Sequence, residues 1–279
     1  MKNDESLSGR RALLRGAAGA AAVFGLGAVS GCGSSATPAR PVPGAAGARA
    51  ARPMKPSAYR LQPMGAAGPQ RVTATQLPVR SRPILRLKGG GRSMVLTFDD
   101  GPDPRYTPGI LRTLRKHDVR AMFFLCGEMV DAFPHLVQAI VDDGHVVGNH
   151  TWSHPQLTRM SRAAVRDEIV RTSEAIEEVT GESPQWFRAP YGAWNRAAFE
   201  VGAELGMEPL AWTVDSLDWT EPGTGTIIRN VMAGAGPGVV VLSHDAGGNR
   251  SQSVRALGTY LPELLDSGYR ISLPRRRAM

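Results

Sequence analysis

The sequence MVLTFDDGP, residues 94–102, decides the fold around which this chain is organised. Its apolar start predicts a buried strand, which ends in two adjacent carboxylates, Asp99 and Asp100, and is closed by Gly-Pro. Because two like charges side by side repel, one of them needs a cationic partner that this stretch does not supply. A metal ion is the usual remedy, since one carboxylate ligates it while the other handles protons. The alternative is a plain Asp-Gly turn after a buried strand, and the rest of the chain decides between the two.

Apolar runs typical of strands alternate with helical patterns from residue 94 onward. The predicted strands are 94–98, 121–126, 145–149, 186–189, 207–214, 238–244 and 269–273. The predicted helices are 108–117, 130–143, 161–180, 195–205, 226–235 and 253–265. This alternation predicts a parallel sheet, and polar clusters after many different strands favour a distorted (β/α)7 barrel over an open sheet. No glycine-rich phosphate loop or dinucleotide fingerprint follows the first strand.

The formal charge of the chain, +8, belongs to its front third. Residues 1–92 hold 15 Lys or Arg and 2 Asp or Glu, whereas residues 93–279 hold 18 and 23. The patterned region is therefore mildly acidic, and no basic, aromatic-interleaved face indicates a nucleic-acid partner. Only two cysteines occur, Cys32 and Cys126, which excludes a disulfide framework. Cys126 falls inside a strand pattern, and we interpret it as a buried thiol.

Residues 1–32 have the pattern of an export signal. Arg10 and Arg11 precede an apolar run, residues 16–30, that is too short to span a bilayer comfortably. The paired arginines favour a twin-arginine signal, although a general secretory signal also carries positive charge at this place. The run ends in Val-Ser-Gly-Cys, which resembles a bacterial lipobox and predicts lipidation of Cys32; a chance cysteine beyond an ordinary cleavage site is the alternative.

Residues 33–89 are rich in Ala, Gly, Pro, Ser and Arg and lack sustained periodicity. Because too little apolar side chain is present to offset the entropy of ordering, we predict a disordered, flexible linker. A short ordered lead-in at residues 83–87 is an option, and the predicted catalytic domain covers residues 90–279. A basic linker beside a membrane would be attracted to anionic lipid or wall polymer.

Two histidines four residues apart, His150 and His154, follow the third predicted strand. This spacing suits the chelation of one metal ion, and Pro155 places the pair on a short turn rather than in a long helix. A loop with structural hydrogen bonds is the alternative, but two histidines and one carboxylate together make an open zinc-type site. We interpret the remaining histidines as structural or surface groups: His117, His135 and His145.

Three more polar clusters follow the later strands. Arg188 after the fourth strand could hold a carboxylate ionised, and the next available backbone donor is the N–H of Tyr191, because Pro190 has none. The fifth strand is followed by Asp215, Asp218 and Trp219. His244 closes the sixth strand, and a position at the same rim as the other clusters favours proton transfer over a satisfied core histidine.

With these five clusters in this order, residues 92–274 resemble the polysaccharide deacetylase (NodB-like) family, carbohydrate esterase family four. Each cluster is a weak signal alone, but five after successive strands form a specific pattern. The resemblance implies a distorted (β/α) barrel that removes N-acetyl groups from GlcNAc-type polymers with a divalent metal, commonly Zn²⁺, with Co²⁺ or Ni²⁺ as alternatives. One departure is Ala189, at a position where the family often has Pro; this leaves Arg188 and the Tyr191 N–H in place.

The resemblance also implies residue roles. Asp100, His150 and His154 would ligate the metal, and Asp99, oriented by Arg188, would deprotonate the attacking water. His244, paired with Asp218, would protonate the leaving amine. The residues it places at the oxyanion or the substrate are Tyr191, Trp219, Leu242 and Asp215.

We therefore predict an exported, metal-dependent polysaccharide N-deacetylase that acts on peptidoglycan, because a lipoprotein outside the membrane meets its own wall first. Chitin oligomers or acetylated xylan are the alternative substrates. A non-catalytic wall-binding lipoprotein is the alternative from another class. The expected partners are an N-acetylated glycan and the membrane through a lipid anchor on Cys32, with the protein monomeric; secretion without an anchor is the alternative location.

Overall fold

The computed structural model describes residues 77–88 and 91–274. The predicted export signal with Cys32, and the linker up to residue 76, lie outside the described residues. Within the described ranges, no helix combines the length and the apolar character that a membrane crossing needs.

Among the described residues, eight strands form one parallel sheet. Their bounds are β1 Ser93–Asp99, β2 Met122–Leu125, β3 Val146–Asn149, β4 Trp186–Phe187, β5 Glu208–Pro209, β6 Val214–Asp215, β7 Val240–His244 and β8 Arg270–Ile271. The strand order is β5-β4-β3-β2-β1-β7-β6, and β8 pairs with the start of β1. This curled sheet with its covering helices confirms the predicted (β/α)7 fold.

Seven α-helices connect the strands in the described part of the chain. Their bounds are α1 Thr107–Lys116, α2 Gly127–Ala132, α3 Pro134–Asp142, α4 Arg162–Thr180, α5 Arg196–Glu204, α6 Thr224–Gly234 and α7 Ser251–Asp266. The predicted helix 130–143 is divided into α2 and α3, because Pro134 has no N–H to continue the preceding helix and starts a new one. Ser161 caps α4, with its side chain accepting a hydrogen bond from the N–H of Ala164.

The predicted strand 207–214 is divided into β5 and β6, which lie at opposite ends of the strand order. Between these ends, Ile84 forms a parallel bridge to Leu210 and Arg86 an antiparallel bridge to Val239. A continuous strand is excluded there, because the chain has to pass from one end of the sheet to the other. Residues 84–86 therefore pair with residues on both sides of the opening between the two ends of the sheet.

The residues of β1 alternate between two clusters. Leu96 and Phe98 pack in the large core beneath the helices, whereas Val95 belongs to a second cluster on the other face of the sheet. Because successive strand residues point to opposite faces, Thr97 and Asp99 share the face of Val95. The last residue of β1 thus presents its carboxylate on the concave side of the sheet, at the carboxyl end.

Candidate active site

A cleft of about 650 Å³ lies at the carboxyl ends of the strands. Of the residues predicted for the site, nine line this cleft: Asp99, Asp100, His150, His154, Tyr191, Asp215, Trp219, Leu242 and His244. The other two, Arg188 and Asp218, are buried and bind cleft residues from behind. The structure therefore brings together side chains from five separate segments of the sequence.

Asp100, His150 and His154 form a group that could hold a metal ion. One ligand atom from each lies within 4.8 Å of the others. The Oδ1 atom of Asp100 is 3.5 Å from Nε2 of His150 and 3.3 Å from Nε2 of His154. Both Asp100 and His154 have positive φ, 75° and 57°, which turns their side chains toward the shared point. Such backbone conformations are uncommon for residues other than glycine and concentrate at functional sites.

The protonation states of these three side chains are compatible with a bound cation. Nδ1 of His150 lies 2.8 Å from the carbonyl oxygen of Arg188, and since a carbonyl only accepts, Nδ1 carries the proton. In the neutral ring Nε2 therefore presents a lone pair toward Asp100, whose buried Oδ1 has no hydrogen-bond partner. Burial, followed by the nearby His150, lowers the pKa of His154. Burial would raise the pKa of Asp100, but the nearby histidines, His150, His244 and His154, outweigh this effect and lower the pKa to about 2. A deprotonated ligand set is what a divalent metal requires.

Asp99 is held by Arg188, whose side chain is fully buried. Nη1 of Arg188 donates to Oδ1 of Asp99 at 2.6 Å and to Oγ1 of Thr97 at 2.8 Å. Nε and Nη2 donate to the carbonyl oxygens of Leu210 and Ala211, each at 3.0 Å. These fixed acceptors hold the guanidinium in place, and the guanidinium in turn holds the carboxylate of Asp99 in a single orientation.

His244 is the direct neighbour of Asp99 across the β1–β7 pair. Its Nδ1 donates to Oδ1 of Asp218 at 2.6 Å, and its backbone N–H donates to Oδ2 at 2.9 Å. The hydroxyl of Ser253 donates to the same Oδ2 at 2.7 Å. Burial lowers the pKa of His244, but the hydrogen bond and charge of Asp218, with the charges of Asp100 and Asp99, raise it to about 9. The imidazole thus carries a proton at neutral pH, with Nε2 as its other proton-bearing atom.

The rim of the cleft carries exposed aromatic side chains. Tyr191 is 68% exposed and Trp219 is 54% exposed. Tyr191 has φ 59°, its ring lies 4.5 Å from that of His154, and its backbone N–H makes no hydrogen bond within the described chain. Leu242 is buried in the cleft wall. Asp215 accepts a hydrogen bond from the N–H of Leu217 at 2.8 Å and so shapes the loop that carries Trp219.

Several cleft residues were absent from the sequence analysis: Glu128, Met129, Trp152, Ser153, Trp212, Gly247 and Arg250. Glu128 and Met129 lie in α2, and the other five lie in loops whose course depends on tertiary packing, so no local pattern marks them. Gly247 has φ 72° and lies against Asp100, where a Cβ would come within 2.2 Å of Oδ2; only glycine fits there.

The residues interpreted as structural do not belong to the metal group. Cys126 is buried and borders the cleft, and burial raises the pKa of its thiol well above the usual value. His145 is buried and accepts a hydrogen bond from the N–H of Ala121, while His135 is exposed. His117 follows the end of α1.

Known proteins share this sequence and fold. Residues 86–210 match the family model described as polysaccharide deacetylase. The chain is 40% identical over 183 residues to a peptidoglycan-N-acetylglucosamine deacetylase of Bacillus cereus, covering 65% of this chain but only 66% of the relative, just under two thirds. It is 40% identical over 194 residues to a chitooligosaccharide deacetylase of Bradyrhizobium, covering 65% of this chain and 89% of the relative. A crystal structure of a peptidoglycan N-acetylglucosamine deacetylase superposes with a TM-score of 0.66 and 37% identity, covering 68% of this chain and 89% of that one.

Proposed function

The chain belongs to the polysaccharide deacetylase family, and we propose that it hydrolyses the N-acetyl groups of a GlcNAc- or MurNAc-containing polysaccharide, releasing acetate. The observation that carries this proposal is the arrangement of three groups around one cleft: a possible metal site, a carboxylate fixed by a buried arginine, and a protonated histidine fixed by a buried aspartate. Amide hydrolysis needs an activated water, stabilisation of a developing oxyanion and a proton for the leaving nitrogen.

We assign the metal to Asp100, His150 and His154. Two imidazoles and one carboxylate, all deprotonated, favour Zn²⁺, with Co²⁺ or Ni²⁺ as alternatives. When bound, the ion would supply a water of lowered pKa and polarisation of the acetyl carbonyl. The chain would contribute the fixed tautomer of His150 and a dry, shaped site, since the side chain of His150 is only 3% exposed.

Asp99 is the proposed general base. Its free Oδ2 lies 3.7 Å from Nε2 of His150, so it faces the metal ligands, while Oδ1 is occupied by Arg188. A carboxylate whose other oxygen is bound to a buried guanidinium keeps one direction of approach for the proton of the attacking water. Arg188 is thereby a positioning residue.

The other residues would act on the acetyl group. The free N–H of Tyr191 would donate to the acetyl oxygen as negative charge develops on it. His244 would deliver the proton at Nε2 to the amide nitrogen as the C–N bond breaks, because Asp218 holds Nδ1. Trp219 and Leu242 would form the slot for the acetyl methyl group, and Asp215 would support the loop of Trp219.

Peptidoglycan is the proposed substrate, with chitin oligomers or acetylated xylan as alternatives. Relatives named for peptidoglycan and for chitooligosaccharide deacetylation both support the N-acetylglucosamine unit. We also propose an extracytoplasmic, monomeric enzyme exported by the signal at residues 1–32 and held at the membrane by lipidated Cys32. A surface anchor would bring the cleft to the cell's own wall.

Acetate release tests the proposal. Purified protein loaded with Zn²⁺ is incubated with peptidoglycan, chitin oligomers or acetylated xylan, with chelated enzyme as the control. We expect acetate from the N-acetylated glycans, highest with peptidoglycan, and none after chelation. Zinc-loaded protein that releases no acetate from any of the three would overturn the activity. Glycan affinity without bound metal would instead support the non-catalytic alternative.

A further inference from the structure

The backbone between His150 and His154 is held from outside by α4. Oε2 of Glu168 accepts hydrogen bonds from the backbone N–H groups of Trp152 and Ser153, at 2.8 and 2.9 Å. Oε1 of the same carboxylate accepts one from the hydroxyl of Ser153 at 2.8 Å. One side chain therefore makes three contacts with the two residues that lie midway between the proposed metal ligands.

A second side chain of α4 contacts the same loop. The guanidinium of Arg171, three residues after Glu168, lies 3.9 Å from the ring centroid of Trp152. Gly127 also lies against the Trp152 ring, because a Cβ at residue 127 would come within 2.2 Å of a ring atom. Trp152 is thus enclosed between α4 and the start of α2, and the loop cannot shift without losing these contacts.

Two carbonyl groups of the loop are also paired. The carbonyl oxygens of Thr151 and Trp152 accept hydrogen bonds from the N–H groups of Gly127 and Glu128, at 2.9 and 3.1 Å. The loop therefore lies between the amino-terminal N–H groups of α2 and the carboxylate of Glu168. Removing that carboxylate would leave two backbone N–H groups without a protein partner.

The two histidines differ in how their rings are fixed. His150 donates from Nδ1 to the carbonyl oxygen of Arg188, which sets its ring plane. His154 has no such hydrogen bond on its second ring nitrogen among the described residues; its Nε2 lies 3.3 Å from Oδ1 of Asp100, and its ring lies beside those of His150 and Tyr191. Metal-binding histidines usually owe their orientation to a partner on the second ring nitrogen. The direction of His154 must therefore come from its backbone.

That backbone is in an unfavourable conformation. Thr151 and His154 both have positive φ, 68° and 57°. For residues other than glycine this conformation is unfavourable and persists only where surrounding contacts hold it. The contacts of Glu168 fall between these two residues, where they oppose relaxation of the loop.

We propose that Glu168 is a positioning residue for the metal site, which fixes the direction of His154 by holding the backbone of Trp152 and Ser153. The inference rests on the metal site of the proposed function. It assigns to α4 a task in metal binding, although none of its side chains belongs to the ligand group.

Titration of Zn²⁺ into the metal-free full chain tests this inference. We expect Glu168→Ala to weaken Zn²⁺ binding by about 10–100-fold, the usual effect of losing a group that orients a ligand. Glu168→Gln should retain most of the affinity, because its amide oxygen can accept from both backbone N–H groups. Glu168→Asp keeps the charge but shortens the reach, so it should bind Zn²⁺ about as weakly as the alanine variant.

The matched control is Glu174→Ala, which removes an exposed carboxylate from the same helix. It should bind Zn²⁺ as the wild type does. Thermal unfolding of the metal-free variants separates a general loss of stability from a loss of metal affinity. Wild-type affinity in Glu168→Asp, or in a folded Glu168→Ala, would overturn the inference. If the wild type itself binds no Zn²⁺, it is the proposed function that fails.

Discussion

Substitution of Asp218 by Asn tests the proposed acid, His244. Asp218 is buried and binds both Nδ1 and the backbone N–H of His244. Burial lowers the pKa of His244, and chiefly Asp218 raises it, to a net value of about 9 from the ordinary 6.5. That difference corresponds to about 3 kcal/mol in favour of the protonated imidazole. An uncharged amide supplies no such stabilisation, while the burial stays.

The magnitude follows from the protonated fraction at pH 8. With a pKa of about 9, roughly nine-tenths of His244 carries the proton, whereas a return to the ordinary value of about 6.5 would leave only about 3% protonated. Asp218→Asn should therefore lower acetate release at pH 8 by about 30-fold and recover part of it at lower pH. The alkaline limb of the pH–rate profile should move from near 9 toward neutral pH, because an acid acts only while it is protonated.

The assay is acetate release between pH 5.5 and 10 (about one point per half unit) with Zn²⁺ held constant. Glu221→Gln is the matched control, because it removes an exposed carboxylate three residues from Asp218. Zn²⁺ affinity is measured in both variants, since Asp218 lies outside the ligand group. An alkaline limb of Asp218→Asn that coincides with the wild-type limb would refute the assignment of His244 as the acid.

Three further predictions concern the base, the metal and the stability. Asp99→Asn should lower acetate release by about 10²–10⁴-fold, the range of a general base, yet leave Zn²⁺ bound; loss of Zn²⁺ in the variant would contradict this. Asp100→Asn should weaken Zn²⁺ binding in a calorimetric titration, and excess Zn²⁺ should restore part of its activity. Burial lowers the pKa of His145 to about 4 from 6.5, so its contribution to stability is present above pH 6.5 and lost as the pH falls through 4. His145→Gln should reduce the loss of unfolding free energy between pH 7 and pH 5, measured by urea denaturation. An equal loss in both proteins would contradict this prediction.

The sequence predicted the site better than the ends of the elements, and the parallel sheet explains why. Asp99 and His244 are far apart in the chain but directly paired between β1 and β7. In a parallel sheet every strand ends at the same edge, so polar residues that follow successive strands all lie at that edge. The order of the clusters was therefore enough to predict that Asp99 and His244 lie close together.

The groups behind the site left no local pattern. Thr97 and Ser253 contact Arg188 and Asp218 through hydroxyl groups that look ordinary in the sequence. The division of the predicted strand 207–214 depends on Ile84, which pairs with Leu210 across more than a hundred residues. Such features come from the meeting of distant segments, and a periodicity read within one segment does not contain them.

The different surroundings of Asp99 and Asp100 explain how adjacent carboxylates reach one cleft yet take unequal tasks. In a continued strand their side chains would point to opposite faces of the sheet. Asp99 is still within β1, but Asp100 has φ 75°, a conformation that aspartate tolerates better than most residues, and the chain turns there. Both carboxylates then lie near Nε2 of His150, at 3.7 and 3.5 Å. Only Asp99 contacts a guanidinium, whereas the buried Oδ1 of Asp100 has no hydrogen-bond partner. The first is thereby suited to hold a proton and the second to hold a cation, because their neighbours differ although the residues are the same.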